Sequence, residues 1–265
     1  MSKKSIIFII IILLLITITI FISFVIFNKF TLKKNLEDTT LAFASKNEKS
    51  VFEINKITLF SSANAKNKNA SSSNFTIENL YQYTDIAIFI KSPQEAKSEE
   101  NTLKKVWINN LKYTTSPELG QANLYYKNIN NFAKNELIES NSLENSLDFE
   151  IISDSETDLN NPILYNNLAN PITLSYINSN IKTDYTITDT SIPITYDGSL
   201  LERCNISLDS INCNLSFDIY IINNLDQEFK CTVFINIPLD DNDKSIYDGN
   251  IIKRFDADSI FYRYK

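Results

Sequence analysis

The sequence predicts an all-β fold, an antiparallel β-sandwich preceded by a single N-terminal transmembrane helix. Three observations carry this. Residues 6–27 form a run of 22 side chains without a charge, Gly or Pro. Beyond residue 50, short stretches of period-two hydrophobicity recur at roughly ten-residue spacing, the rhythm of sandwiches. Between them stand polar turn segments and almost no helical periodicity.

At about 1.5 Å per residue the apolar run spans roughly 33 Å, the thickness of a hydrocarbon core. Thr17, Thr19 and Ser23 interrupt it, but such hydroxyls return to backbone carbonyls of the preceding turn. A cleaved signal peptide has an apolar core of about 7–15 residues followed closely by a small-residue cleavage site. The A-x-A match here, Ala42-Phe43-Ala44, lies fifteen residues past Phe27. An uncleaved anchor is therefore expected, embedded in the bilayer through residues 6–27. Lys3 and Lys4 precede it and Lys29, Lys33 and Lys34 follow it, so flanking charge barely orients it. A five-residue tail before a first apolar helix is the usual signal-anchor layout. It places the tail (1–5) in the cytoplasm and the C-terminal domain on the extracytoplasmic side of the membrane.

Residues 28–50 read as a stalk and 51–265 as the β-domain. That domain is one jelly-roll-like sandwich, or two immunoglobulin-like subdomains split in the acidic segment 153–162. Strand patterns cover residues 51–60, 75–77, 85–90, 105–111, 123–126, 147–152, 173–177, 185–187 and 192–196. Residues 61–73 (SSANAKNKNASSS) read as a loop, and 131–143 as a short helix. The clearest signal is a hairpin. Leu215, Phe217, Ile219 and Ile221 alternate with polar neighbours, then a turn at 223–227 leads to Phe229, Cys231, Val233, Ile235 and Ile237. Residues 251–264 supply the last strands.

The five flanking lysines take 5 of 25 basic residues, leaving 20 against 32 acids in residues 35–265, a net −12. Such a domain repels phosphate backbones, so nucleic acid is not an expected partner. The chain has no His, which removes imidazole general bases, Ser-His-Asp triads and His-bound zinc. Its three glycines (Gly120, Gly198, Gly249) are too scattered for a phosphate-binding loop. No catalytic residue and no cofactor is therefore assigned, and the chain is not read as an enzyme.

Weaker features remain. Asp240, Asp241 and Asp243 place oxygen ligands as a calcium loop does, without the EF-hand Gly and Glu. The acids of 154–158 do the same. If residues 200–217 form a hairpin with its tip at Leu208-Asp209, Cys204 and Cys213 face one another at disulfide distance. Tyr81 with Tyr83, Tyr125 with Tyr126, and Tyr262 with Tyr264 offer stacking surfaces for a glycan or protein ligand, although packing on a pleated sheet accounts for them equally. The expected role is display of the sandwich for binding or envelope architecture. A membrane-anchored carboxylate-dependent hydrolase and an accessory subunit of a larger membrane assembly are the alternatives.

Overall fold

The computed structural model describes residues 14–27, 52–66, 75–91, 102–136, 139–152, 161–165, 170–187, 193–238, 240–241, 244–255 and 259–263. The first is a helix, α1 (residues 14–27). Its Thr17 hydroxyl donates to the Leu14 carbonyl at 2.9 Å and Thr19 to Leu15 at 2.8 Å. Fourteen residues rise only about 21 Å. Among the described residues, no helix is long and apolar enough to cross a membrane. Residues 6–13 of the apolar run lie outside them, as do the N-terminal tail and the stalk.

Residues from Ser50 to Tyr262 make one compact unit. Its strands are β1 (Glu53–Ala65), β2 (Phe75–Lys91), β3 (Leu103–Thr115), β4 (Gln121–Tyr126), β5 (Ser142–Leu143), β6 (Leu147–Ile152), β7 (Ile163–Tyr165) and β8 (Ile172–Ile187). After the short helix α2 (Ser199–Arg203) come β9 (Cys213–Asn223), β10 (Glu228–Ile237), β11 (Asp240–Asp241), β12 (Lys244–Ser245), β13 (Ile251–Phe255), β14 (Ser259–Ile260) and β15 (Tyr262–Arg263). The fold is an all-β sandwich, as expected.

One sheet runs β13-β1-β2-β8-β4-β5, with β14 also pairing β1; the other runs β15-β10-β9-β3-β6-β7. Strands from both sides of segment 153–162 interleave: β8 lies between β2 and β4, and β9 between β10 and β3. The sheets share one core. Phe52 beside β1 meets Phe229 of β10 edge to face at 5.8 Å, Tyr126 of β4 meets Phe149 of β6 at 6.2 Å, and the Tyr176 hydroxyl of β8 lies against the Cys213 thiol of β9.

The hairpin of β9 and β10 pairs in register from Ile222↔Glu228 to Cys213↔Ile237. Its turn closes through the Asn223 side chain, which accepts from the Leu225 and Gln227 amides. Alternation is clean on β10, whose odd residues are buried and whose Thr232, Phe234 and Asn236 are exposed. On β9 the polar Ser216, Asp218 and Tyr220 are buried as well and Asn214 partly so, on a strand with a neighbour on each side.

Several expectations are corrected. Residues 61–65 are not loop: β1 continues through Ala65, and its small Ser61, Ser62, Ala63, Asn64 and Ala65 are buried. The patterns at 75–77 and 85–90 belong to one 17-residue strand, and those at 173–177 and 185–187 to one 16-residue strand. These two long strands pair with one another, each supplying the other's backbone hydrogen bonds where its own hydrophobic pattern lapses. Residues 193–196 are not strand. Among the described residues of 131–143 no α-helix forms, and 3-10 turns stand at Ile129–Asn131 and Glu139–Asn141.

Candidate functional site

Two polar clusters stand on the outer faces of the two sheets. The first centres on Asp85. On β2, Ile86 and Ile88 belong to the core between the sheets, so alternation turns Asp85, Tyr83 and Tyr81 to the other face. There residues 127–135, which come directly after β4 and contain the first 3-10 turn, cover it. Lys127 Nζ donates to Asp85 Oδ1 at 2.9 Å and Oδ2 at 2.7 Å, and its third acceptor is the Lys134 carbonyl. The Ser175 hydroxyl on β8, opposite Asp85 in register, donates to Oδ1 at 2.7 Å. The Ala133 amide donates to Oδ2 at 2.8 Å. The side chains of Lys127 and Asp85 are 4% and 0% exposed.

Burial holds the Asp85 carboxyl above its ordinary pKa, against the opposing effect of Lys127, Ser175 and Ala133. A raised carboxyl favours the native state as pH falls towards the unfolded value, and costs stability once ionised. Three acceptors take the three ammonium protons and both carboxylate oxygens are occupied. With solvent excluded, this pair presents no acid or base to an external substrate.

Tyr83 and Tyr81 continue the cluster. Lys127 lies 5.5 Å from the Tyr83 ring centre, Phe60 packs between Tyr83 and Phe132, and Asn135 donates to the Tyr81 hydroxyl at 2.6 Å. Tyr83, buried, is sheet packing; Tyr81 is half-buried beneath the same cover. Tyr125 and Tyr126, as neighbours on a strand, face opposite sides of the sheet. Tyr262 is exposed, and Tyr264 lies outside the described residues.

The second cluster lies on the outer face of the other sheet. Register aligns Asp148, Trp107, Tyr220 and Lys230 across β6, β3, β9 and β10. The Trp107 and Tyr220 rings stack at 5.0 Å and 6°. Parallel rings on adjacent strands stand upright against one another and turn their edges outward. Lys105 lies 5.1 Å from Trp107 and Lys230 5.6 Å from Tyr220. The row is a cross-strand ladder rather than a flat platform for a sugar ring. Sequence reading missed it because the register that joins Trp107 to Tyr220 is absent from either strand's own pattern.

Asp218 anchors the same face. Its Oδ1 accepts from Thr232 at 2.6 Å, and its Oδ2 accepts from Asn110 at 2.7 Å and Lys230 at 2.9 Å. Asn110 reaches it from a bulge in β3 where its φ is +57°. Burial opposes ionisation of Asp218, but these donors prevail and hold its pKa below the ordinary 3.8. Its ionised form therefore contributes stability above pH 3.8, lost as pH falls towards the lower native value. Asp218→Asn is expected to be less stable than wild type at pH 7, and the deficit to shrink at pH 3. Denaturant titrations at both pH values check this.

Asp240 and Asp241 form β11, whose backbone pairs with Lys244–Ser245; Asp243 and the acids of 154–158 lie outside the described residues. Among the described residues, no group of three His, Cys, Asp or Glu is placed to hold a metal ion. The hairpin expected over 200–217 does not form. Cys204 caps α2 near Thr183, whereas Cys213 opens β9 against Tyr176, and all three cysteines are free thiols. The bridge expected between Cys204 and Cys213 is therefore absent: helix α2 and the 3-10 turn Asp209–Ile211 replace the two facing strands that would have aligned them. Burial raises all three thiols, Cys231 to about 12, which suits packing rather than nucleophilic chemistry.

Compared with known proteins, the chain matches no family model, no curated protein and no solved structure.

Proposed function

We propose that this protein is anchored in a membrane by a single helix over residues 6–27 and displays its β-sandwich on the extracytoplasmic side, in a binding or envelope-structural role. The observation that carries the reading is the uncharged 22-residue run behind Lys3 and Lys4. Large apolar side chains of residues 14–27 are all exposed, from 40% at Val25 to 67% at Phe21. Helices apolar on every side are stable when lipid or protein covers them. The clusters on both sheet faces support a scaffold over a hydrolase, because Asp85 and Asp218 are taken up by internal partners.

The test uses the full chain with a C-terminal epitope. It is expected in the membrane fraction after alkaline extraction, with the epitope removed by protease added to intact cells while a cytoplasmic marker survives. A protected epitope reverses the topology. Recovery in the soluble fraction removes the anchor.

A further inference from the structure

We propose that Lys127 and Asp85 condense with one another, forming an intramolecular amide between Lys127 Nζ and Asp85 Cγ. The reaction needs an amine and a carboxyl held together, activation of the carboxyl, and exclusion of water. Lys127 Nζ lies 2.9 Å and 2.7 Å from the two oxygens of Asp85, both side chains essentially without solvent contact. Bonds to both oxygens hold Nζ close to the carboxylate plane, so attack on Cγ first needs a turn of the carboxyl about Cβ–Cγ; groups held together and so aligned gain an effective molarity on the order of 10⁵ M or more. Ser175 donates to Oδ1 and Ala133 to Oδ2, so each oxygen has a neutral donor that polarises the carboxyl and stabilises developing negative charge.

The step balances within the pair. One ammonium proton passes to the carboxylate, giving amine and acid. In a site that solvates ions poorly this neutral pair lies within reach of the ionic one. Burial already displaces the Asp85 carboxyl towards its acid form. The amine attacks Cγ and the carbonyl charge collects on Oδ1, facing Ser175. Oδ2 leaves as water carrying two protons that began on Nζ, and the third stays as the amide N–H. No oxidant or co-reactant is needed. In bulk water hydrolysis opposes condensation; here the released water leaves a closed site.

The bond would tie β2 to the segment after β4 and straddle β8, which lies between those strands. A buried ion pair by itself is weak support for a fold, often no better than an apolar pair of similar size. A covalent tie gives this arrangement a purpose in a chain whose three cysteines are free. The inference does not depend on membrane topology.

The test is the intact mass of the purified, denatured full chain, with tryptic mapping of the same sample. Wild type is expected to be lighter than its sequence by one water. Cleavage after Lys127 should be lost, and the peptide containing Lys127 should appear joined to the one ending at Lys91. Lys127→Arg keeps a cation beside Asp85 without forming this amide, and is expected at its full sequence mass. Ser175→Ala should leave an uncondensed fraction that declines with time. A wild-type chain of full mass with normal cleavage after Lys127 overturns the proposal, as does a mass deficit that maps to other residues. The wild-type measurement decides the matter even if a variant fails to fold.

Discussion

Lys127→Met is expected to lower the stability of the sandwich by about 3–5 kcal/mol, the cost of leaving Asp85 as a buried carboxylate without the Lys127 nitrogen that neutralises it, as ammonium or as amide. The substitution removes Nζ, and with it every contact that atom makes to Asp85 and to the Lys134 carbonyl. Asp85 then keeps only Ser175 and Ala133 as donors, and the Lys134 carbonyl loses the ammonium that ties residues 127–135 to the sheet. Because Asp85 is wholly buried, water cannot compensate without opening that cover. Unfolding of the full chain in detergent, monitored through Trp107, reads the change from the opposite sheet. The double variant Asp85→Leu/Lys127→Met should recover much of the loss, since apolar residues of similar volume replace the pair without desolvated charge. A single variant as stable as wild type would mean that the pair is hydrated in solution.

Gly198→Ala is expected to cost about 3 kcal/mol, the upper end of the range for overpacking. In a domain of this size that is a fall of roughly 6–12 °C in melting temperature. A Cβ on Gly198 would meet the Ile246 carbonyl at 2.1 Å and the Gly249 carbonyl at 2.2 Å, both backbone atoms. Neither can move freely. Residues Ile246–Asp248 form a 3-10 turn with a capping box between Ser245 and Asp248, and the Tyr247 hydroxyl donates to the Ile206 carbonyl at 2.5 Å. Thermal melts of the purified variant test this, and a shift below about 2 °C, under 1 kcal/mol, would mean that the corner is not rigid.

The same glycine shows where local patterning stops being informative. Asp197-Gly198 has the chemistry of a hairpin turn, and Asp197 does fold back to accept from the Ser199 amide and hydroxyl. Yet helix α2 starts at Ser199, and the need for glycine comes from the 246–249 corner, some fifty residues later in the chain. Segment 61–65 fails in the opposite direction. Ser-Ser-Ala-Asn-Ala looks like linker, but small side chains suit a crowded central strand. Ser61 there bonds to Thr84 at 2.6 Å across to β2, and Ser62 to Asn250. Asp85 is the sharpest case. It reads as the start of an ordinary strand, and only pairing with residue 175 and the return of residues 127–134 make it the best-buried acid among the described residues.

What the sequence determined by itself is the β class, the hairpin of β9 and β10 and the polar turn that joins them. Those depend on residues a few positions apart, whose alternation and turn chemistry act before any long-range contact exists. It also settled which imidazole-based and phosphate-loop chemistries the chain lacks, and it placed a 22-residue apolar run at the N-terminus. Tertiary structure alone decided the length of β2 and β8, the helix in place of a second hairpin, the Trp107–Tyr220 ladder and the meeting of Lys127 with Asp85. The last two join residues 113 and 42 positions apart, and the pairing register that brings them together is a property of the assembled sheets.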